Sequence, residues 1–126
     1  MMLGYDFIML PRQYRLKKRS AFNATYKTGK SFHYKGITLF CGKEKNTQNP
    51  TRIGFVVSKK IHKRAVKRNR IKRLMRETVR LYIKNSDNSF ETKYISLIFV
   101  ATTSILDKNF EEIDYRIKKL VSMIND

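Results

Sequence analysis

The chain carries basic residues at helical spacing, and the chemistry of their side chains is that of phosphate binding. Arg68, Lys72 and Arg76 recur every four residues, with Asn69 and Arg73 between them. This spacing places the side chains on one side of a helix. A guanidinium group is a planar fork that pairs with two phosphate oxygens, or with a base edge, at fixed geometry. The segment therefore predicts a surface for a polyanion, and nucleic acid is the commonest such partner.

Charge is distributed unevenly along the chain. The formal net charge is +18, from 28 Lys and Arg against 10 Asp and Glu. Residues 12–35 hold eight cations and no acid, and residues 52–84 hold thirteen cations and one acid, Glu77. An ordinary solvated helix mixes both signs, and its dipole disfavours cations at the start. We therefore favour a nucleic-acid-binding face over a merely soluble surface or an anionic-membrane patch, because the apolar side of this helix is needed for a core.

Residues that could carry out catalysis are scattered. A protein nuclease needs metal-binding carboxylates or a histidine pair beside the scissile phosphate. His33 and His62 are far apart in the sequence, and the acids near residue 112 suit the positive end of a helix dipole. The sequence has no glycine-rich phosphate loop and no nucleophile elbow. We expect no catalytic centre, and no metal or cofactor held by the protein itself.

The basic run belongs to a predicted helix, from about residue 64 to 84, whose other side is apolar. The apolar stripe consists of Ile71, Leu74, Met75, Thr78, Val79 and Tyr82. Its three-and-four spacing is typical of a helix packed on a core. Asn69 could be the cap of a helix that starts later. Cations would then fill the first turn, so we expect Asn69 to make a polar contact with RNA.

The segment before this helix predicts a short helix and strands. Ser20 is a candidate N-cap for a helix that Gly29 closes. Residues 31–41 form one strand, or two strands broken at Gly36. Residues 52–58 are apolar on both faces, which predicts a central strand.

The segment after the basic helix predicts a strand and a final helix. Residues 94–100 read as a third buried strand, and residues 110–123 as an amphipathic helix with Asp107 as its candidate N-cap. The inward positions of that helix are Phe110, Ile113, Ile117, Leu120 and Val121.

The order helix, strands, helix, strand, helix predicts a single α+β domain, a two-layer α/β sandwich around one sheet, over residues 1–126. Residues 1–8 are predicted to be an N-terminal extension, either disordered or preceding a true start at Met9. One cysteine, Cys41, fits a small buried hydrophobe in a reducing cytosol. No apolar run is long enough to cross a bilayer, so we expect a cytoplasmic protein without a membrane partner.

The central segment resembles the signature of the bacterial ribonuclease P protein component. The resemblance lies in RNRIKRL at residues 68–74, followed by Arg76-Glu77 and preceded by RIGFVVSKK at residues 52–60. It extends to LKKRSAF at residues 16–22 and YKTGKS at residues 26–31. In all, some 110 residues are covered. The stretch 61–67 is one residue longer than in some members, which affects where the basic helix starts but not its role.

The resemblance implies a function in tRNA maturation. Members of the family bind ribonuclease P RNA, a large catalytic RNA, and help it to remove the 5′ leader from precursor tRNA. Magnesium ions held by that RNA perform the hydrolysis. The positions that match the family's RNA-contacting motif are Lys59, Lys60, Arg68, Asn69, Arg70, Lys72, Arg73 and Arg76.

The resemblance also implies a cleft for the single-stranded leader and an unusual left-handed β-α-β crossover in the fold. The aromatic positions of the cleft fall on Phe22, Tyr26 and Phe40, with Tyr26 standing where phenylalanine is common. Aromatic rings beside a cationic surface suit unpaired bases, which stack on them without sequence preference. From the residues alone, Phe22 and Tyr26 are more simply the core side of a short helix.

Two other functions remain open at this stage. Small basic α/β domains are common among ribosomal proteins, and composition does not separate the two classes. The segment around Asn69 favours ribonuclease P. A DNA-binding protein fits less well, because the sequence shows no turn followed by a recognition helix and no dimerising heptads.

Overall fold

The computed structural model describes residues 10–58, 64–85, 92–102 and 105–124. Its helices are α1 (Arg19–Lys27), α2 (Ala65–Asn85) and α3 (Phe110–Ile124), and a single turn of 3-10 helix, Arg12–Tyr14, precedes them. Its strands are β1 (Lys30–Tyr34), β2 (Ile37–Cys41), β3 (Arg52–Val57) and β4 (Ser96–Ala101). This order confirms the predicted α+β fold. The predictions for residues 1–8, for Lys59 and Lys60 and for His62 lie outside the described residues.

The strands form one mixed sheet in the order β1-β2-β4-β3. The first two are an antiparallel hairpin, β4 pairs antiparallel with β2, and β3 pairs parallel with β4. The hairpin turn has positive φ at Lys35 (39°) and Gly36 (91°), so residues 31–41 are two strands and not one. The parallel pair is connected through α2. This is the β-α-β unit for which the resemblance implies a left-handed crossover, and that hand stays a prediction.

The prediction that residues 52–58 form a central strand is wrong. β3 lies at the end of the sheet, and the strands with neighbours on both sides are β2 and β4. β3 is nevertheless apolar on both faces because both faces are covered. Its outer edge is also partly covered, since the Leu16 amide donates to the Ile53 carbonyl at 3.0 Å and Arg15 forms an isolated bridge to Ile53. An edge protected in this way needs no polar residues to prevent further pairing.

The two faces of the sheet are covered by different helices. Ile53, Leu97 and Phe99 belong to the main core, which α2 and α3 close from one side. Alternate residues of the same strands point to the other face. There, Thr25 of α1 shares a 2.6 Å hydrogen bond with Ser96, and a Cβ at Gly54 would lie 2.6 Å from the Phe22 ring. Helix α1 therefore packs on the face opposite α2 and α3.

Both predicted N-caps are wrong by two positions. Helix α1 starts after Lys18, which makes no side-chain cap hydrogen bond, and Ser20 is already inside the helix. At α3, the Asn109 side-chain oxygen accepts from the Glu112 amide at 2.9 Å, so Asn109 takes the place expected for Asp107. The predicted end of α1 is confirmed, because Gly29 adopts a φ of +74° just beyond the last turn.

The apolar stripe of α2 faces the core as the spacing predicts. Its buried residues are Ile71, Met75, Thr78, Val79 and Ile83. Leu74 and Tyr82 are only partly buried and pack at the margin of the core. The depth of burial therefore differs along the stripe, with Met75 near its centre.

Cys41 is fully buried at the end of β2, as the sequence predicts. Burial raises the pKa of its thiol to about 11, against an opposing effect of Lys30 and Lys93. Among the described residues, no helix combines the length and the apolar character needed to cross a membrane.

The stability of α2 should depend more on Met75 than on Leu74. We expect Met75→Ala to lower the free energy of unfolding by ~2–5 kcal/mol, since it leaves a cavity in a fully buried site. Leu74→Ala should cost clearly less, because its side chain is already partly in water. Urea denaturation of the two variants measures the difference. A larger loss for Leu74→Ala would mean that this helix is rotated from the orientation described.

Candidate nucleic-acid interface

Asn69 and Arg73 are exposed on the side of α2 away from the core. Because α2 begins at Ala65, Asn69 is the fifth residue of the helix and does not cap its start. The alternative that Asn69 is a helix cap is therefore excluded. An exposed amide between two arginines can donate to or accept from a ligand.

To one side of Asn69 and Arg73, α2 approaches the segment before α1 at the outer edge of β3. A cavity of about 260 Å³ lies there, with aromatic and cationic side chains in its wall. The cations are Arg15, Lys17, Lys72 and Arg76, and the aromatic residues are Phe22 and Phe55. The cavity thus brings two residues of α2 together with two from the N-terminal block of positive charge.

Arg76 is the most unusual side chain of this cavity. Its Nε atom is buried and has no hydrogen-bond partner among the described residues. Burial lowers the pKa of the Arg76 guanidinium, and the neighbouring Arg73 and Arg15 lower it further. A buried cation that faces other cations is destabilised unless an anion joins it.

Hydrogen bonds fix the position of Arg15 in the segment before α1. The Arg15 Nε donates to the Leu10 carbonyl at 2.6 Å, and Arg52 donates from Nη1 to the Arg15 carbonyl at 3.0 Å. Sequence reasoning did not single out Arg15 and Lys17. The acid-free block from residue 12 to 35 indicated that a second basic segment exists. It did not indicate which of its eight cations lie close to α2.

Other basic residues of α2 make different contacts. Arg70 lies on the opposite flank and donates to the carbonyls of Leu106 (3.4 Å) and Lys108 (3.1 Å), so it ties α2 to the start of α3. Arg80 is paired with Glu77 within the helix. Arg68 is half-buried and makes contacts of its own. The structure therefore places Arg68, Asn69, Lys72, Arg73 and Arg76 on one continuous surface, here called the arginine face, with Arg70 at its border.

The acids of α3 do not neutralise this face in the part of the chain that the structure describes. Glu112 lies 3.7 Å from Lys108 and 3.8 Å from Arg116, and Asp114 lies 3.0 Å from Lys118. These acids pair with cations in α3 or directly before it. Within the same ranges, no three His, Cys, Asp or Glu side chains are grouped as metal ligands.

The three predicted aromatic residues, Phe22 and Tyr26 of α1 and Phe40 of β2, are together called the aromatic cleft. The rings of Tyr26 and Phe40 are edge-to-face with centroids 5.0 Å apart, and Phe22 closes over Gly54. The buried residue of α1 is Thr25, whereas Phe22 is half-buried and Tyr26 is 37% exposed. Phe22 therefore packs against the sheet, whereas Tyr26 remains accessible at the surface.

Fold and surface together define a small α+β domain suited to a polyanionic ligand. The family model described as Ribonuclease P matches residues 10–125. The chain therefore belongs to the family of bacterial ribonuclease P protein components. Membership makes it the protein subunit of a tRNA-processing endoribonuclease, with a ribonuclease P RNA as its partner.

Relatives and solved structures agree with this assignment. The ribonuclease P protein component of Clostridium kluyveri is 41% identical over 108 residues, which cover 86% of this chain and 91% of the relative. That of Clostridioides difficile is 42% identical over 106 residues, or 84% and 87% of the two chains. The RNase P protein of Staphylococcus aureus superposes with a TM-score of 0.72 at 27% identity, covering 90% of this chain and 98% of the other. The Thermotoga maritima protein shares the fold, with a TM-score of 0.70 at 20% identity over 89% and 98%.

Arg70 and Arg73 should differ in what they do for stability. Arg70→Ala removes two hydrogen bonds to backbone carbonyls and should lower the free energy of unfolding by about 0.5–1.5 kcal/mol. Arg73→Ala alters an exposed side chain and should leave the free energy within about 0.5 kcal/mol. Thermal and urea unfolding of both variants provide the test. Equal stability of the two would show that the Arg70 contacts do not support the fold.

Proposed function

We propose that this protein binds the catalytic RNA of ribonuclease P through the arginine face and the 5′ leader of precursor tRNA through the aromatic cleft. In doing so it assists the endonucleolytic removal of the leader in the cytoplasm. The hydrolysis belongs to magnesium ions held by the RNA, and the protein supplies positioning and positive charge. Lys59 and Lys60 join the RNA-binding set by their place in the motif.

The observation that carries this proposal is the partly buried Arg76 guanidinium. It lies in a cavity with Arg15, Lys17 and Lys72, and it has a buried nitrogen without a partner in the described chain. Like charges brought together where water is partly excluded raise the free energy of the folded protein. A backbone phosphate in this cavity would satisfy the nitrogen and offset the repulsion. RNA supplies such phosphates in series, so the rest of the arginine face can bind along the same strand.

The aromatic cleft suits a different part of the substrate. Its rings present π-faces beside α1, and stacking on such faces stabilises an unpaired base by ~1–3 kcal/mol regardless of sequence. A leader varies in sequence from one precursor tRNA to another. A cleft that recognises stacking and charge can therefore serve all of them.

A direct test reconstitutes the reaction. The protein is mixed with a ribonuclease P RNA and a precursor tRNA at low magnesium, and the rate of 5′ cleavage is measured with and without protein. We expect clear stimulation, because the protein brings cations to the junction of the two RNAs. An unchanged rate across a range of protein concentrations would overturn the proposal.

Binding to the RNA should weaken steeply as salt rises. Each phosphate contact should lower the logarithm of the association constant by about 0.7–0.9 for a tenfold increase in salt, since counterions are released on binding. Filter binding or fluorescence anisotropy at several salt concentrations gives the slope. A flat titration would contradict a phosphate-binding arginine face.

Arg76→Met should separate binding from stability. The pKa of Arg76 is lowered in the folded protein, so the charged form is disfavoured there, and a neutral side chain of similar length should maintain or raise stability. Affinity for ribonuclease P RNA should nevertheless fall about tenfold or more, as expected for the loss of a charge-assisted hydrogen bond.

The matched control is Lys119→Met, which removes an exposed cation on α3. It should leave RNA affinity close to that of the unaltered protein. If both substitutions weaken binding equally, net charge and not the arginine face determines affinity. If Arg76→Met unfolds the protein, the guanidinium is a structural group.

A further inference from the structure

Helix α1 has a second side that neither the arginine face nor the aromatic cleft uses. Ala21 and Ala24 lie three residues apart on it, and their small side chains leave space between α1 and the connection from β2 to β3. That space is a cavity of about 370 Å³. It lies across α1 from the aromatic pair, because Ala21 and Ala24 line it and Phe22 and Tyr26 do not.

The wall of this cavity combines apolar surface with a few polar groups. Leu16, Pro50 and Ile95 contribute aliphatic surface, and Ile95 is 42% exposed. Thr47 and Asn49 bring a hydroxyl and an amide to the same wall. A planar, partly polar group of the size of a nucleobase fits such a lining.

Positive charge surrounds the cavity. Lys43 and Arg52 line it, and between residues 42 and 52 the chain has three cations and one acid, Glu44. At the same end of the sheet, the ammonium groups of Lys30 and Lys93 lie 5.0 and 5.5 Å from the centroid of the Tyr94 ring. This end of the sheet is therefore cationic in its own right, with lysines in place of the arginines of α2.

We propose that this cavity receives one unpaired nucleotide of an RNA strand. The base lies against Leu16, Pro50 and Ile95, its edge bonds to Asn49 or Thr47, and Lys43 with Arg52 takes the adjoining phosphates. Charge decides the class of ligand, because a neutral metabolite or an apolar peptide would leave the surrounding cations unpaired. The inference goes beyond the proposed function, since it adds an RNA-binding site on the opposite side of α1 and does not require ribonuclease P RNA.

The test uses the full chain and an unstructured octaadenylate RNA. Amide chemical shifts are followed by NMR during titration at low salt. We expect the amides of Gly42, Asn49 and Ile95 to shift in a saturable manner, alongside those of the aromatic cleft. Titration with inorganic phosphate alone should not reproduce these shifts, because the base contributes to binding.

Two variants make the assignment specific. Ala24→Phe fills the cavity from an exposed helix position, and Lys43→Glu reverses an exposed charge at its wall. For each, the dissociation constant followed at Gly42 should rise by roughly fivefold or more, the effect of losing one stacked base or its phosphate contact. The shifts of Phe22 and Tyr26 should persist. Ala24→Ser, which keeps the cavity open, is the matched control.

Several outcomes would overturn the inference. The absence of shifts at Gly42, Asn49 and Ile95, their full reproduction by phosphate alone, or their persistence in both variants would each do so. If Ala24→Phe loses its dispersed spectrum, Lys43→Glu still decides the question. The titration contains no ribonuclease P RNA and no cleavage, so its result is independent of the test of the proposed function.

Discussion

Burial of one side of α2 determines where the positive charge of this protein lies. Ile71, Met75 and Val79 are fully enclosed by the sheet and α3, so the helix cannot rotate about its axis without exposing them. With that side fixed, the remaining positions of the helix must face water or the edge of β3. The core thus supplies the free energy that keeps like charges close together. Without it, repulsion among the cations of α2 would favour an open chain.

The edge position of β3 gives the surface its shape. A strand at the end of a sheet leaves room for other segments to approach its outer side, and here α2, α1 and the segment before α1 all do so. Arg15 and Arg76 are sixty-one positions apart in the sequence, yet both line one cavity together with Ile53. A central strand would have kept these groups apart. The edge position of β3, which the sequence prediction missed, therefore brings cations from distant parts of the chain to one cavity.

Much of the fold was predictable, because it depends on periodicity that lies within single elements. The helix periods of α2 and α3 and the apolar run of β4 each occur in one continuous stretch. The order of strands was not predictable from burial, since β3 is apolar on both faces whether it lies at the edge or in the middle. The hydrogen bonds of Arg70 were not predictable from the sequence either. Its acceptors are the carbonyl oxygens of residues 106 and 108. Because every residue has a backbone carbonyl, residue types do not identify such an acceptor. For the arginine face, the sequence indicated only the residue types. Which of these side chains are exposed, partly buried or hydrogen-bonded depends on the fold.

The buried thiol of Cys41 can report on how often the sheet opens. Alkylating reagents attack the thiolate, and a pKa of about 11 leaves roughly one molecule in ten thousand in that form at neutral pH. The side chain is also out of contact with solvent, on a strand with neighbours on both sides. Modification must therefore wait until the sheet separates at β2. The rate of alkylation then measures how often the scaffold opens, and how far a bound RNA slows that opening.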